Sequence, residues 1–184
     1  MIFRPERTFR PEHNYYPGLF IRMLDEIAPS IKDLYNQEFL GDVYIDMDGV
    51  LTPYEYADYE NDNWLNHPEI LCKKPQLTII PNDWIILTKF STPKEAILKY
   101  AWAKEYFPKN KIILVPAHES KADFIHPHSY DILIDDYNKN IDEWVSAGGC
   151  AIKFLNGINS MRADVPCVTL KEVIIWNHLI YTVS

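Results

Sequence analysis

The stretch Val43-Tyr44-Ile45-Asp46-Met47-Asp48-Gly49-Val50-Leu51 leaves this chain few choices. Its first three residues favour a strand, two carboxylates follow two positions apart, and Gly49 lets the backbone turn. A strand of that composition is buried, and a carboxylate at its tip is costly unless a cation or hydrogen-bond donors hold it. Packing alone does not explain two of them. Asp46 and Asp48 are too closely spaced to face each other across a glycosidase cleft, and the further ligands and later glutamate of a calcium-binding loop are missing. A carboxylate nucleophile with an acid/base beside it remains.

Four more apolar runs follow. Trp84 to Leu87 ends at Thr88, Lys111 to Val115 stands alone, Ile132 to Ile134 ends at Asp135 and Asp136, and Ala151 to Leu155 is the fifth. Helical signals lie between them. Ser91-Thr92-Pro93-Lys94-Glu95 supplies an N-cap, a proline for the first helical position and a capping-box glutamate. The helix it opens is expected to bury Ala96, Ile97, Tyr100 and Ala101 and to end before Pro108. Asn138 or Asn140 is expected to cap a second helix carrying Ile141, Trp144 and Val145, stopped by Gly148 and Gly149. This alternation predicts an α/β fold, a doubly wound parallel sheet with right-handed crossovers. Such sheets bind ligands beyond the carboxyl ends of their strands, where Asp46, Thr88 and Asp135 all fall.

The flanking segments are less regular. Residues 1–15 read as an extended arm, and apolar residues from Leu19 to Ile27 and from Ile31 to Leu40 predict two helices, so that 1–42 form an N-terminal helical extension. Pro53, Pro68, Pro75 and Pro81 exclude a long regular element from the insert 52–82. Within it Tyr54, Tyr56, Tyr59 and Trp64 are suited either to stack on a base or to form the insert's own hydrophobic centre. The tail, 168–184, is expected to close with a helix from Leu170 to Leu179. A single domain results, with its core in 43–51 and 83–167.

Bulk composition narrows the partners. With 184 residues, 47% hydrophobic and 24% charged, the chain is expected to be a soluble globular protein with a substantial core. A net charge of -8 gives it no general attraction for long nucleic acid. Cys72, Cys150 and Cys167 fit neither a disulfide framework nor a zinc site, and no apolar run resembles a signal peptide or a membrane span. A cytoplasmic location without a membrane partner is expected.

The first stretch resembles the opening motif of the haloacid dehalogenase-like phosphatase superfamily, a hydrophobic strand ending in Asp-x-Asp-Gly-(Val/Thr)-(Leu/Ile). The superfamily's later motifs have counterparts in the same order: Ile85-Ile86-Leu87-Thr88, then Lys121, then Ile132-Leu133-Ile134-Asp135-Asp136. From Ser120-Lys121-Ala122-Asp123 to Leu133-Ile134-Asp135-Asp136-Tyr137 the chain is most similar to the 5'(3')-deoxyribonucleotidases.

The resemblance implies a Rossmann-like core, with the insert 52–82 as a small cap over the active site. It also implies a magnesium-dependent (Mg2+) phosphomonoester hydrolase. In that reading Asp46 attacks phosphorus and becomes an aspartyl-phosphate, while Asp48 protonates the leaving alkoxide and then activates water. Thr88 and Lys121 hold the phosphate, and Lys121 also pairs with Asp46. Mg2+ is held by Asp46, the Asp48 backbone carbonyl and Asp135, with Asp136 as a further or water-mediated partner. Tyr54 and Trp64 would reach a small-molecule substrate, first of all a nucleoside monophosphate. A sugar phosphate, a nucleic-acid end, and a silent binding module are the alternatives; an oligomer stays open.

Blander readings stand beside these. Thr88 alone is an ordinary strand residue, Lys111 competes with Lys121, and Asp136 suits a helix start. His118, His126 and His128 read as loop histidines. Lys89 and Phe90 stand where many nucleotidases have small residues and proline, so contacts on the phosphate side are expected to differ.

Overall fold

A computed structural model describes residues 41–55 and 67–173. Its centre is β1 (Val43–Ile45), which pairs with β2 (Ile85–Phe90) on one side and β4 (Ile132–Asp135) on the other. β3 (Lys111–Pro116) continues the sheet beyond β2, while β5 (Cys150–Leu155) and β6 (Cys167–Thr169) continue it beyond β4. All pairs are parallel, in the order β3-β2-β1-β4-β5-β6. That order makes β1 and β4 neighbours whose onward connections run in opposite directions, which opens a crevice between their carboxyl ends.

Register explains the layers. Ile45, Ile86 and Ile134 lie side by side and point to one face, while Tyr44, Ile85 and Leu133 point to the other. The first face packs on Trp102 and Phe107 from helix α1 (Pro93–Tyr106) and the residue that follows it. The second packs on Ala122 of α2 (Lys121–Ile125) and on Ile141 and Trp144 of α3 (Asn138–Ser146). With apolar side chains covering both faces, the strands read as apolar runs rather than alternating ones.

Several expectations need correction. Among the described residues there is a sixth strand, β6, in a segment expected to begin the tail, with Val168 its buried residue; a helix starts at 170, the expected position. Helix α1 shows the opposite face to the one expected. Ile97 is 70% and Tyr100 50% exposed, and the buried positions are Glu95, Lys99, Trp102 and Ala103. The cause is a buried ion pair, Lys99 Nζ to Glu95 Oε1 at 2.7 Å, which lets two charged residues face inward. The N-cap of α3 is Tyr137 without a side-chain cap bond, so neither Asn138 nor Asn140 fills that role.

The insert 52–82 is partly built into the body. Leu77 and Ile80 are buried in the first core layer, and Pro68–Leu71 form a 3-10 turn. Gln76 clamps the loop after Asp48: its backbone N–H donates to the Leu51 carbonyl at 2.8 Å and its side-chain amide to the Val50 carbonyl at 2.8 Å. The N-terminal extension, Tyr56, Tyr59, Trp64 and most of the expected C-terminal helix lie outside the described residues. Among the described residues no helix is long and apolar enough to cross a membrane. Cys72, Cys150 and Cys167 are free thiols.

Candidate active site

The site begins where the ladder of β1 ends. Asp46 N–H still donates to the Ile134 carbonyl at 2.9 Å, so the backbone of Asp46 is fixed by the sheet. Its Oδ1 accepts from the Met47 N–H at 2.8 Å and from Lys121 Nζ at 2.8 Å. Lys121 is brought there by a helix start: Ser120 caps α2, its hydroxyl accepting from the N–H of Ala122 (3.1 Å) and Asp123 (3.3 Å). The ammonium is buried and reaches on to Asp135 Oδ2 at 2.7 Å, so it bridges the ends of β1 and β4. Asp135 is fully buried and also accepts from the Tyr137 N–H (2.8 Å) and Asn140 Nδ2 (3.0 Å).

Asp136 completes this wall and is held from β5. Asn156 Nδ2 donates to its Oδ2 at 2.6 Å, and its carbonyl accepts from the buried Lys153 ammonium and from Asn159 Nδ2. Gly49 is needed opposite it. With φ at 77° it lies in the left-handed region, and a Cβ there would run into the Asp136 carboxylate.

One oxygen each from Asp46, Asp135 and Asp136 lies within 4.8 Å of the others. Three carboxylates face two nearby ammoniums, Lys121 and the Lys153 that donates to the Asp136 carbonyl, so negative charge is in excess and the proton affinities respond accordingly. Burial, opposed by Lys121 and reinforced by Asp135 and Asp48, pushes the Asp46 carboxyl up to about 7. Burial and the charges of Asp135 and Asp46 push Asp136 up to about 8. Burial pulls the Lys121 ammonium down, but Asp135 and Asp46 outweigh it and hold it above the usual lysine value. Such a group of carboxylate oxygens could hold a metal ion, and hard oxygen donors with an excess of negative charge suit a small divalent cation.

The second wall carries Asp48. Its Oδ2 accepts from Lys99 Nζ at 2.5 Å and from the Thr88 hydroxyl at 3.3 Å, while its Oδ1 is buried with no hydrogen-bond partner. Between the two walls is a cleft of about 260 Å³ lined by Asp46, Asp48, Lys89, Lys121 and Asp136, and also by Tyr54, Tyr137 and Asn140.

The expected residues Asp46, Asp48, Lys121, Asp135 and Asp136 therefore converge at one end of the sheet. Thr88 is there too, but fully buried, with its hydroxyl turned to Asp48. Lys111, at the far end of β3, is exposed and takes no part. Tyr54 reaches the cleft, and Trp64 is outside the described residues. Sequence reasoning missed Lys99 and Glu95 because an i,i+4 Glu-Lys pair ordinarily marks a solvated helix face. It also missed Asn140, Lys153, Asn156 and Asn159. Asn156 had a readable signal, since it follows the carboxyl end of the fifth apolar run.

No protein-family model, curated protein or solved structure matches this chain.

Proposed function

We propose that this protein is a divalent-metal-dependent phosphomonoester hydrolase of the haloacid dehalogenase-like type, working through an aspartyl-phosphate on Asp46. The observation that supports it most is the bridge from Asp46 Oδ1 through Lys121 to Asp135 Oδ2, with the Asp136 carboxylate close by and Asp48 across the cleft. A phosphate monoester dianion repels a carboxylate, so the site must supply positive charge and in-line positioning. Lys121 gives one charge from within the chain. Mg2+, held by Asp46, Asp135 and Asp136, would neutralise the phosphoryl oxygens and orient the group.

The chain's own residues then account for both half-reactions. Asp46 attacks phosphorus through the oxygen not engaged by Lys121, and the bond to the leaving oxygen breaks as Asp48 protonates it. Water next attacks the phospho-Asp46, giving its proton to Asp48 and releasing phosphate. Thr88 contributes by holding Asp48, and Lys89 adds a second positive charge to the cleft. Burial lowers the proton affinity of Lys89, with Lys121 adding to the effect, as expected for a cation placed to meet an anion.

A small phosphomonoester is the substrate class, and a nucleoside monophosphate is the first candidate, because Tyr54 and Tyr137 offer rings at the cleft. The test is a panel of nucleoside monophosphates, sugar phosphates and nitrophenyl phosphate, assayed with Mg2+ and with chelator. Metal-dependent release of phosphate, strongest with nucleotides, is expected. Near-normal turnover in chelator would sink the mechanism, and a preference for sugar phosphates would replace the substrate.

A further inference from the structure

The buried ammonium of Lys99 is saturated. It has three donors, and they go to Asp48 Oδ2 at 2.5 Å, the Lys89 carbonyl at 2.6 Å and Glu95 Oε1 at 2.7 Å. Glu95 is itself tied down, since its Oε2 accepts from the Ser91 N–H at 2.8 Å. Burial pulls the Lys99 ammonium down, but Asp48 and Glu95 outweigh it and keep its proton affinity above the ordinary lysine value. This tripod joins the first turns of α1 and the end of β2 to the loop after β1. Lys99 itself is 2% exposed and does not line the cleft, whereas its partners Asp48 and Lys89 do.

The two oxygens of Asp48 are thereby made unequal. Oδ2 carries both donors, Lys99 and Thr88, and Oδ1 is left without a partner. Oδ1, though unpartnered, is itself buried, so what the two donors fix is the place of the whole Asp48 carboxylate at the cleft wall.

Resting on the phosphatase reading above, we infer that Lys99 is a positioning residue, which anchors Asp48 through Oδ2 and so sets where its carboxyl group meets the leaving oxygen. In the first step the O–H bond of the Asp48 carboxyl breaks, the proton goes to the leaving alkoxide oxygen, the P–O bond to it breaks and the bond from Asp46 forms. In the second step water's oxygen bonds to phosphorus, the bond from phosphorus to the Asp46 oxygen breaks and the proton returns to Asp48. Charge at Oδ2 is compensated throughout by the same ammonium, so no solvent need reorganise around it.

The test uses the full chain with two variants. Lys99→Met leaves the buried Glu95 and the partly buried Asp48 without a countercharge, and such a change is destabilising. Lys99→Met/Glu95→Gln removes most of that imbalance and is the informative variant. Turnover is measured with Mg2+ on an alkyl phosphomonoester and on nitrophenyl phosphate, and the crystal structure of the double variant is determined. Expected are an Asp48 carboxylate that has left Thr88, and a loss of about 100-fold on the alkyl ester. The loss on nitrophenyl phosphate should be much smaller, because its leaving group needs no acid. A merely structural lysine would lower both substrates alike. Equal losses, or an Asp48 carboxylate still in place in the crystal structure, overturn the inference. If the unaltered protein hydrolyses no ester, the phosphatase reading fails instead, and the Asp48 position in the double variant alone decides whether Lys99 is the anchor.

Discussion

The two walls of the cleft are made of the same parts and behave in opposite ways. On the β4 side a buried lysine, Lys121, meets an excess of carboxylates, and on the β2 side a buried lysine, Lys99, meets two carboxylates and a carbonyl that use up its donors. The first wall holds more negative than positive charge, and burial with that crowding raises the proton affinity of Asp46 and Asp136. The second is closed upon itself and offers the cleft one oriented acid. A buried ion pair therefore does not have one meaning. Whether it receives a ligand or fixes a side chain depends on the charge left over around it.

The largest expected effect breaks the first wall. Asp46→Asn should cost roughly 10,000-fold or more in kcat, since an amide cannot form the phospho-enzyme. It should also weaken Mg2+ binding measured by calorimetry; unchanged metal affinity would remove Asp46 from the cation site. Asp48→Asn breaks the second wall alone. A loss of about 100-fold to 10,000-fold on alkyl esters is expected, with Mg2+ affinity kept and with a much smaller loss on nitrophenyl phosphate. If metal affinity falls as far as in Asp46→Asn, the two walls are not separate.

A third experiment sharpens the contrast through pH. Asp136 has a folded-state value of about 8 against an ordinary 3.8, so the folded protein without metal binds more protons than the unfolded chain between those values. Stability from this group is complete below about pH 4 and is lost as pH rises towards 8. In chelator at pH 8, Asp136→Asn should accordingly be more stable than the parent by roughly 1 kcal/mol or more, and this advantage should vanish near pH 4. Saturating Mg2+ should reverse the order at pH 8. Denaturation midpoints in chelator that are the same for both proteins at pH 8 would show that the wall carries no excess charge. The smallest effect is on specificity. Tyr54→Ala should weaken turnover of a nucleoside monophosphate by about tenfold and spare a minimal phosphate ester, as a stacked ring contributes roughly 1 to 3 kcal/mol.

The contrast also explains what was legible in the sequence. Lys121 was legible through the motif order of the superfamily the chain resembles, a short way before the run that ends in two acids, since local pattern alone left Lys111 as a rival. Lys99 sits in mid-helix among better apolar candidates, and its inward turn is decided by Asp48, 51 residues away. Binary patterning finds the aliphatic face of a helix and has no means of seeing that a charge will be met on arrival. The first five strands were readable because both faces of a parallel sheet are apolar. β6 was not, since three residues with a single buried one, Val168, carry too little pattern; its position is set by pairing with Lys153, Phe154 and Leu155.

The pairing of β1 with β4 has a consequence for folding. Asp42 N–H donates to Asp131 Oδ1 at the start of these strands, across 89 residues of chain, and Asp46 meets Asp135 only when that loop has closed. Contacts of such separation come late in assembly, because the loop must lose its freedom before they give anything back. No shorter fragment of the chain holds the three acids together. The proposed cation binding would thus report on the finished fold rather than on any part of it. By mass action it shifts the balance towards that finished state, and at a concentration 100 times its dissociation constant it would contribute about 2.7 kcal/mol.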